Sequence, residues 1–148
     1  MQHIKITQTF NAPVEEIFYL LTDHESFGKI INTKIRRVVD SKDKNKNGIG
    51  SIRRIYAAPL LAFEESVITF DLNHVMEYVV SKGSPIKNHK GRMEFSSEHD
   101  KTKLTYFIDF QPKLPFFFLG SILKQAVRKP IQEGLVKLAQ KYNNSKVL

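Results

Sequence analysis

The sequence contains no cysteine and no tryptophan. Without thiols it has no disulfide framework, no thiolate metal site, no iron–sulfur cluster and no cysteine nucleophile. Long hydrophobic runs are missing too. The longest, Phe116 to Leu123, falls far short of the roughly 18 residues that suggest a membrane span. The opening MQHIKITQTF holds no apolar run of signal-peptide length, so a cytoplasmic location is expected. Glycine (7) and proline (6) are scattered, and no repeat, low-complexity tract or linker separates one part of the chain from another. The 148 residues therefore read as one domain spanning 1–148, long enough to bury a substantial core. Apolar residues at 41% and charged residues at 26% describe a globular chain rather than a disordered one.

What the chain does have is positive charge, unevenly placed. Residues 29–56 carry +7 and residues 113–148 carry +6, whereas residues 57–81 carry −4 with no Lys or Arg. The block KIRRVVDSKDKNKNGIGSIRR can attract phosphates or anionic lipid, but as a solvated pair of strands and a Lys-rich loop it needs no partner. Nucleic-acid readers interleave basic residues with exposed aromatics, and this block has none before Tyr56, which argues against nucleic acid.

Hydrophobic periodicity sets out the elements. Ile4, Ile6 and Phe10 alternate with polar residues as a strand, and Asn-Ala-Pro then breaks it. Val14, Ile17, Phe18 and Leu21 recur at helical spacing over 13–22, with Pro13 and the Glu15–Glu16 pair suited to a helix start. Asp23 can cap a second short helix through about Lys29. Six strands follow, over 32–40, 49–57, 63–71, 74–82, 88–98 and 102–111. Their short connections imply an antiparallel meander, since parallel strands need longer crossovers. After Pro112 and Pro115 a single apolar stripe from Leu119 to Tyr142 predicts a long C-terminal helix, with a kink or break near 127–130 at Pro130. The fold class is α+β: a seven-stranded antiparallel sheet curled around the terminal helix, with two small helices after the first strand.

Several segments carry a resemblance. ITQTFNAPVEEIFYLLTDHESF holds a strand running into Ala-Pro, a Val-x-x-Ile-Phe helix and an Asp-x-x-x-Phe segment. GIGSIRR, SKGSPIKNHKGRMEFSSEHDKTKLTYFIDF and PKLPFFFLGSILKQAVRKPIQEGLVKLAQKY follow in order. Together they resemble the polyketide cyclase/dehydrase branch of the START-like, birch-pollen-allergen-like superfamily (SRPBCC). Tyr106 stands where Trp is frequent in that pattern, and the Phe triplet and Pro130 depart from it. The resemblance implies a helix-grip fold and a hydrophobic small-molecule pocket. It implies no single reaction, because members include cyclases, hydrolases and lipid carriers.

Strand parity nominates the lining of such a pocket. Tyr106 and Ile108 share a face with Leu104 and Phe110; His89, Met93 and Phe95 share one with Gly91; Tyr78 lies with Met76 and Val80. With Leu119, Leu123 and Val127 on the terminal helix, these and Arg53 form the candidate ligand-binding set. Tyr78 and Tyr106 stand out because a buried phenol needs a hydrogen-bond partner, whether backbone, water or ligand. Arg53 and Glu65 mirror each other about the AAPLLA turn. The ambiguous faces of their strands favour an exposed cross-strand pair; turned inward, the two would form a buried ion pair or hold a ligand's polar end. No acid is recognisable as a partner for His89, which argues against a catalytic role. His3, His24, His74 and His99 show no metal-ligand spacing, so no metal is expected.

Enzyme signatures are missing: there is no Gly-x-Ser-x-Gly, no His-Glu-x-x-His and no Walker loop. Gly48-Ile-Gly50 lacks a third glycine and precedes a strand, so no dinucleotide cofactor is expected. The reading that results is a module binding a hydrophobic small molecule or lipid. An aromatase/cyclase-like enzyme acting on a keto-substrate, and a membrane- or ribosome-associated accessory protein, stand as alternatives. Phe116–Phe118 could gate the cavity, pack as core, or dip into an anionic membrane beside Lys113, Lys124 and the 29–56 basic block. Oligomeric state leaves no mark on the sequence.

Overall fold

A computed structural model describes residues 1–113 and 116–145. Pro115, expected to open the helical tail, and the side chains of Phe116 and Phe117 lie outside what it describes. Strand β1 (Gln2–Phe10) buries Ile4, Ile6 and Phe10 on one face. Helix α1 (Val14–Thr22) starts after Pro13 with Glu15 and Glu16 in its first turn, where the helix dipole favours carboxylates. Its stripe of Ile17, Phe18 and Leu21 is buried. The Asp23 side chain accepts from the Ser26 N–H at 2.9 Å and caps α2 (His24–Ile30).

Strands β2 (Lys34–Val39), β3 (Ile52–Ala58), β4 (Leu61–Asp71), β5 (Val75–Lys82), β6 (Ile86–Glu98) and β7 (Lys101–Pro112) follow as a meander. The sheet order is β1-β7-β6-β5-β4-β3-β2, antiparallel throughout. Thus β1 returns to the outer edge of β7, pairing Ile4 with Ile108 and Ile6 with Tyr106. A short 3₁₀ turn (Phe116–Leu119) leads into α3 (Gly120–Ser145). The curved sheet wraps this helix, the helix-grip arrangement.

Helix α3 approaches β1 and α2 most closely. A Cβ on Gly134 would lie 2.3 Å from the Ile30 carbonyl oxygen, so only glycine lets α3 rest on the end of α2. The break expected near 127–130 does not occur: α3 runs unbroken through Pro130. Pro130 removes one hydrogen bond, to the Ala126 carbonyl. Both residues border a cavity, so the ring meets open space rather than a packed sheet.

The meander gives the sheet two distinct ends. One carries the β3–β4 turn, the β5–β6 turn and the start of α3; the other carries the 40–51 loop, the β6–β7 turn and α1. At the α1 end the concave face is solid, with Phe18 packed edge-on against Phe95 and Phe70 at centroid distances of 5.0 and 5.3 Å. The Lys-rich 40–51 loop therefore lies at the opposite end from Phe118. The joint lipid surface expected from these two segments is split across the molecule.

Candidate functional site

At the α3-start end the sheet and helix do not meet, and a cavity of about 340 Å³ lies between them. That falls within the roughly 300–1,000 Å³ of small-molecule sites. Its walls are apolar: Phe27 and Ile31 around α2, Ile35 on β2, Ile55 on β3, Phe63 on β4, Ile86 on β6, Ile108 on β7, and Leu123, Val127 and Ile131 on α3. Two larger hollows, around Lys129 and Lys137 on the outer face of α3 and around Lys44 to Asn47, are shallow and polar and enclose nothing.

Set into the apolar wall is a compact polar cluster of Arg53, Glu65, Tyr78, His89 and Tyr106. Arg53 and Glu65 sit directly opposite each other on β3 and β4. The Arg53 Nε–H donates to Glu65 Oε2 at 2.7 Å, with Arg53 1% and Glu65 7% exposed. This overturns the expectation of an exposed cross-strand pair. The reason lies in β3, where Arg53 and Ile55 face inward while Ile52 and Arg54 face out, so a charged residue occupies a core position. The guanidinium also stacks over Tyr78 at 4.3 Å and Phe27 at 5.2 Å. Burial is the largest single influence and opposes the charge on Arg53, but the facing Glu65 carboxylate together with Tyr78 and Tyr106 outweighs it and keeps the guanidinium firmly protonated. Its Nη1 is buried and has no partner.

Tyr78 and Tyr106 hydrogen-bond to each other through their hydroxyls. They can meet because Tyr78 pairs with Gly91, whose missing side chain leaves room for the phenol. Burial raises both phenols above their ordinary range, so both stay neutral. His89 reaches the cavity beside a bulge between Lys87 and Lys90, with Asn88 at φ +51°. The bulge switches parity, so that Ile86 and His89 both line the same space. His89 Nδ1 accepts from the Val80 N–H at 3.1 Å, and Nε2 faces Glu65 Oε1 at 3.8 Å. Burial holds the imidazole below its ordinary range, against the pull of Glu65.

Of the ten residues nominated from sequence, Arg53, Tyr78, His89, Tyr106, Ile108, Leu123 and Val127 line the cavity. Met93 and Phe95 do not: they are buried in the solid end of the core, where Phe18 of α1 covers the sheet. Leu119 sits half-buried in the 3₁₀ turn, outside the lining. Sequence reasoning found no partner for His89, because Glu65 is distant in sequence and comes near only across β4, β5 and β6. It also missed Ile31, Ile35, Ile55 and Phe63, which come from segments whose two faces both carry apolar residues. Among the described residues no cluster of His, Asp and Glu could hold a metal ion, and no helix is long and apolar enough to cross a membrane.

The family model described as polyketide cyclase/dehydrase and lipid transport matches residues 1–143. No curated protein matches the sequence. Among solved structures, the protein XoxI from Bacillus cereus superposes with TM-score 0.74 at 13% identity, covering 99% of each chain. A START superfamily protein from Mycobacterium smegmatis gives 0.68 at 16% identity, covering 92% of this chain and 98% of that one. Ara h 8.0201 gives 0.62 at 14%, covering 93% and 97%. At these identities the structural likeness speaks for the fold, and the sequence match for the family. A curved sheet gripping a terminal helix over a hollow interior thus goes with a sequence match along nearly the whole chain: the protein belongs to the polyketide cyclase/dehydrase and lipid-transport family.

Proposed function

We propose that the protein binds an apolar small molecule or lipid in the cavity between sheet and α3, with a hydrogen-bond-accepting end of that molecule seated on the Arg53–Tyr78–Tyr106 cluster. The observation that carries this is the Arg53–Tyr78–Tyr106 cluster in the wall of a mostly apolar cavity, in which Arg53 Nη1 is buried without a partner. A buried donor left unsatisfied costs about 1–3 kcal/mol, so a ligand oxygen that accepts from it gains more than one that merely enters. Glu65 Oε2 receives Arg53 and Oε1 faces His89. Of the two phenol protons, one serves the Tyr78–Tyr106 bond and the other is left to donate. The cluster therefore offers donors, which suits a carbonyl or ether oxygen. Arg53 and Glu65 already neutralise each other, so a carboxylate would bring an uncompensated charge. The apolar wall supplies affinity at about 25 cal/mol per Å² buried.

A general base is harder to find. The His89 lone pair on Nδ1 is occupied by Val80, and Glu65 is held in its ion pair. The geometry therefore favours capture over proton abstraction among the described residues. Native mass spectrometry of protein purified from its own host tests the reading, and a retained apolar compound bearing a carbonyl or ether is expected. Tyr106→Phe should keep the fold and weaken capture of that compound. A protein that isolates empty and takes up no apolar carbonyl probe in titration would sink the proposal.

A further inference from the structure

The cavity opens at the sheet end that carries the β3–β4 turn, and that turn is built against the usual rules. Residues 57–62 read AAPLLA, without one polar side chain. Leu60 at the tip is fully exposed, at 109%, and sits at φ +65°, a left-handed conformation that favours Gly or Asn. Leu61 beside it is 40% exposed and also lines the cavity. Across the opening, Phe118 and Ile122 at the start of α3 are 71% and 65% exposed, next to the cavity-lining Leu123. The apolar wall thus continues outward onto an apolar rim.

The charge around this rim has one sign. Residues 57–63, 82–93 and 110–132 contain no Asp or Glu. Lys82 follows the last apolar residues of β5, the Lys113 N–H donates to the Pro85 carbonyl of the β5–β6 turn, and Lys124 adjoins Leu123. The carboxylates on the strands behind it are paired: Glu64 with Arg54, Glu65 with Arg53 and Asp109 with His3. We infer that this rim docks on an anionic phospholipid bilayer, with Leu60, Leu61, Phe118 and Ile122 entering the acyl boundary and Lys82, Lys113 and Lys124 meeting the headgroups. The surface combines the two things such an interface needs, an apolar tip and a cationic collar. It concerns the rim alone, so it stands or falls separately from the ligand proposed above.

The test is co-sedimentation of the full chain with phosphatidylcholine vesicles, plain or containing about one-third phosphatidylglycerol, at near-physiological salt. Tighter binding to the anionic vesicles is expected. Leu60→Asn places a residue suited to the left-handed turn, so it keeps the fold, and should weaken binding at least about tenfold by removing the apolar tip. Each of Lys82→Ala, Lys113→Ala and Lys124→Ala should cost about fivefold. The Lys44→Ala/Lys46→Ala variant removes two charges at the opposite end and should bind as the parent does. Binding that ignores Leu60→Asn but falls equally for either set of lysines would reflect bulk charge and overturn the inference. So would an absence of vesicle binding, including the case where light scattering shows a dimer that Leu60→Asn dissolves, which would make the rim a self-association face.

Discussion

The guanidinium of Arg53 and the carboxylate of Glu65 meet inside the protein, 2.7 Å apart on neighbouring strands, with almost no exposed surface on either. Such a pair gains little over well-packed apolar residues, but it is expensive to break from one side. Glu65→Ala leaves the Arg53 charge buried without a counterion and should cost about 3–5 kcal/mol in urea denaturation. Arg53→Met/Glu65→Leu removes both charges together and should recover most of that loss. The double variant should still fold yet lose its preference for ligands with an accepting end. A Glu65→Ala protein as stable as the parent would show that the pair is not closed in solution.

His89 is held in one tautomer. Because Nδ1 accepts from the Val80 backbone, the proton sits on Nε2, turned toward Glu65. Burial lowers its affinity for a second proton. Nitrogen-15 spectra should show a neutral, Nε2-protonated ring at neutral pH, and ligand capture should not change between about pH 6 and 8 through this residue. A ring protonated on Nδ1, or one that charges near its ordinary value, would release His89 as a base and reopen the enzymatic reading.

His24 makes the fold sensitive to acid. The ring is fully buried, with Nε2 hydrogen-bonded to Ser51 Oγ at 2.9 Å and Nδ1 without a partner. Burial first, then the charges of Arg53 and Arg37, push its pKa down to about 2. The unfolded chain takes up this proton near the ordinary imidazole value of about 6.5, whereas the folded chain does not. Stability is therefore complete above that value and declines as pH falls toward the folded pKa. Between about pH 7.5 and 5 the loss should be about 2 kcal/mol, and His89 adds to it with the same sign. Urea titrations at the two pH values measure the slope. Replacing His24 with Gln should flatten it, and equal stability at both pH values in the parent would contradict the burial of a neutral ring.

Much of this was legible from periodicity because the strands are short, successive and half-buried. The β7 alternation of Leu104, Tyr106, Ile108 and Phe110 gave the inward face directly, and all four are buried. What was not legible depends on events that parity cannot carry. Arg53 occupies a core position, so its strand looked ambiguous. Ile86 lines the cavity beside His89 despite its opposite parity, because of a bulge in which Asn88 takes a left-handed φ. Met93 and Phe95 share the parity of the cavity wall but are buried outside it, Phe95 against Phe18, because a helix placed before the meander covers that end of the sheet. Parity says which face a side chain takes. It does not say whether helix, neighbour or empty space stands opposite.

Gly91 shows how the cavity base depends on a missing side chain. A Cβ at this position would lie 2.2 Å from Tyr78 Cζ, closer than any real contact. The Tyr78 ring is hemmed in by Arg53 on one side and hydrogen-bonded to Tyr106 at its tip. Gly91→Ala must therefore drive the ring off Tyr106 and into the cavity. The overpacking should cost about 1–3 kcal/mol and shrink the space available to a ligand. In a Tyr78→Ala background the obstacle is gone, and the same glycine substitution should be nearly neutral, a coupling of about 1 kcal/mol or more between the two sites. Urea denaturation of the parent, the two single variants and the double variant measures that coupling. Additive effects would mean that Tyr78 does not lie over Gly91, and the phenol pair at the base of the cavity would have to be redrawn.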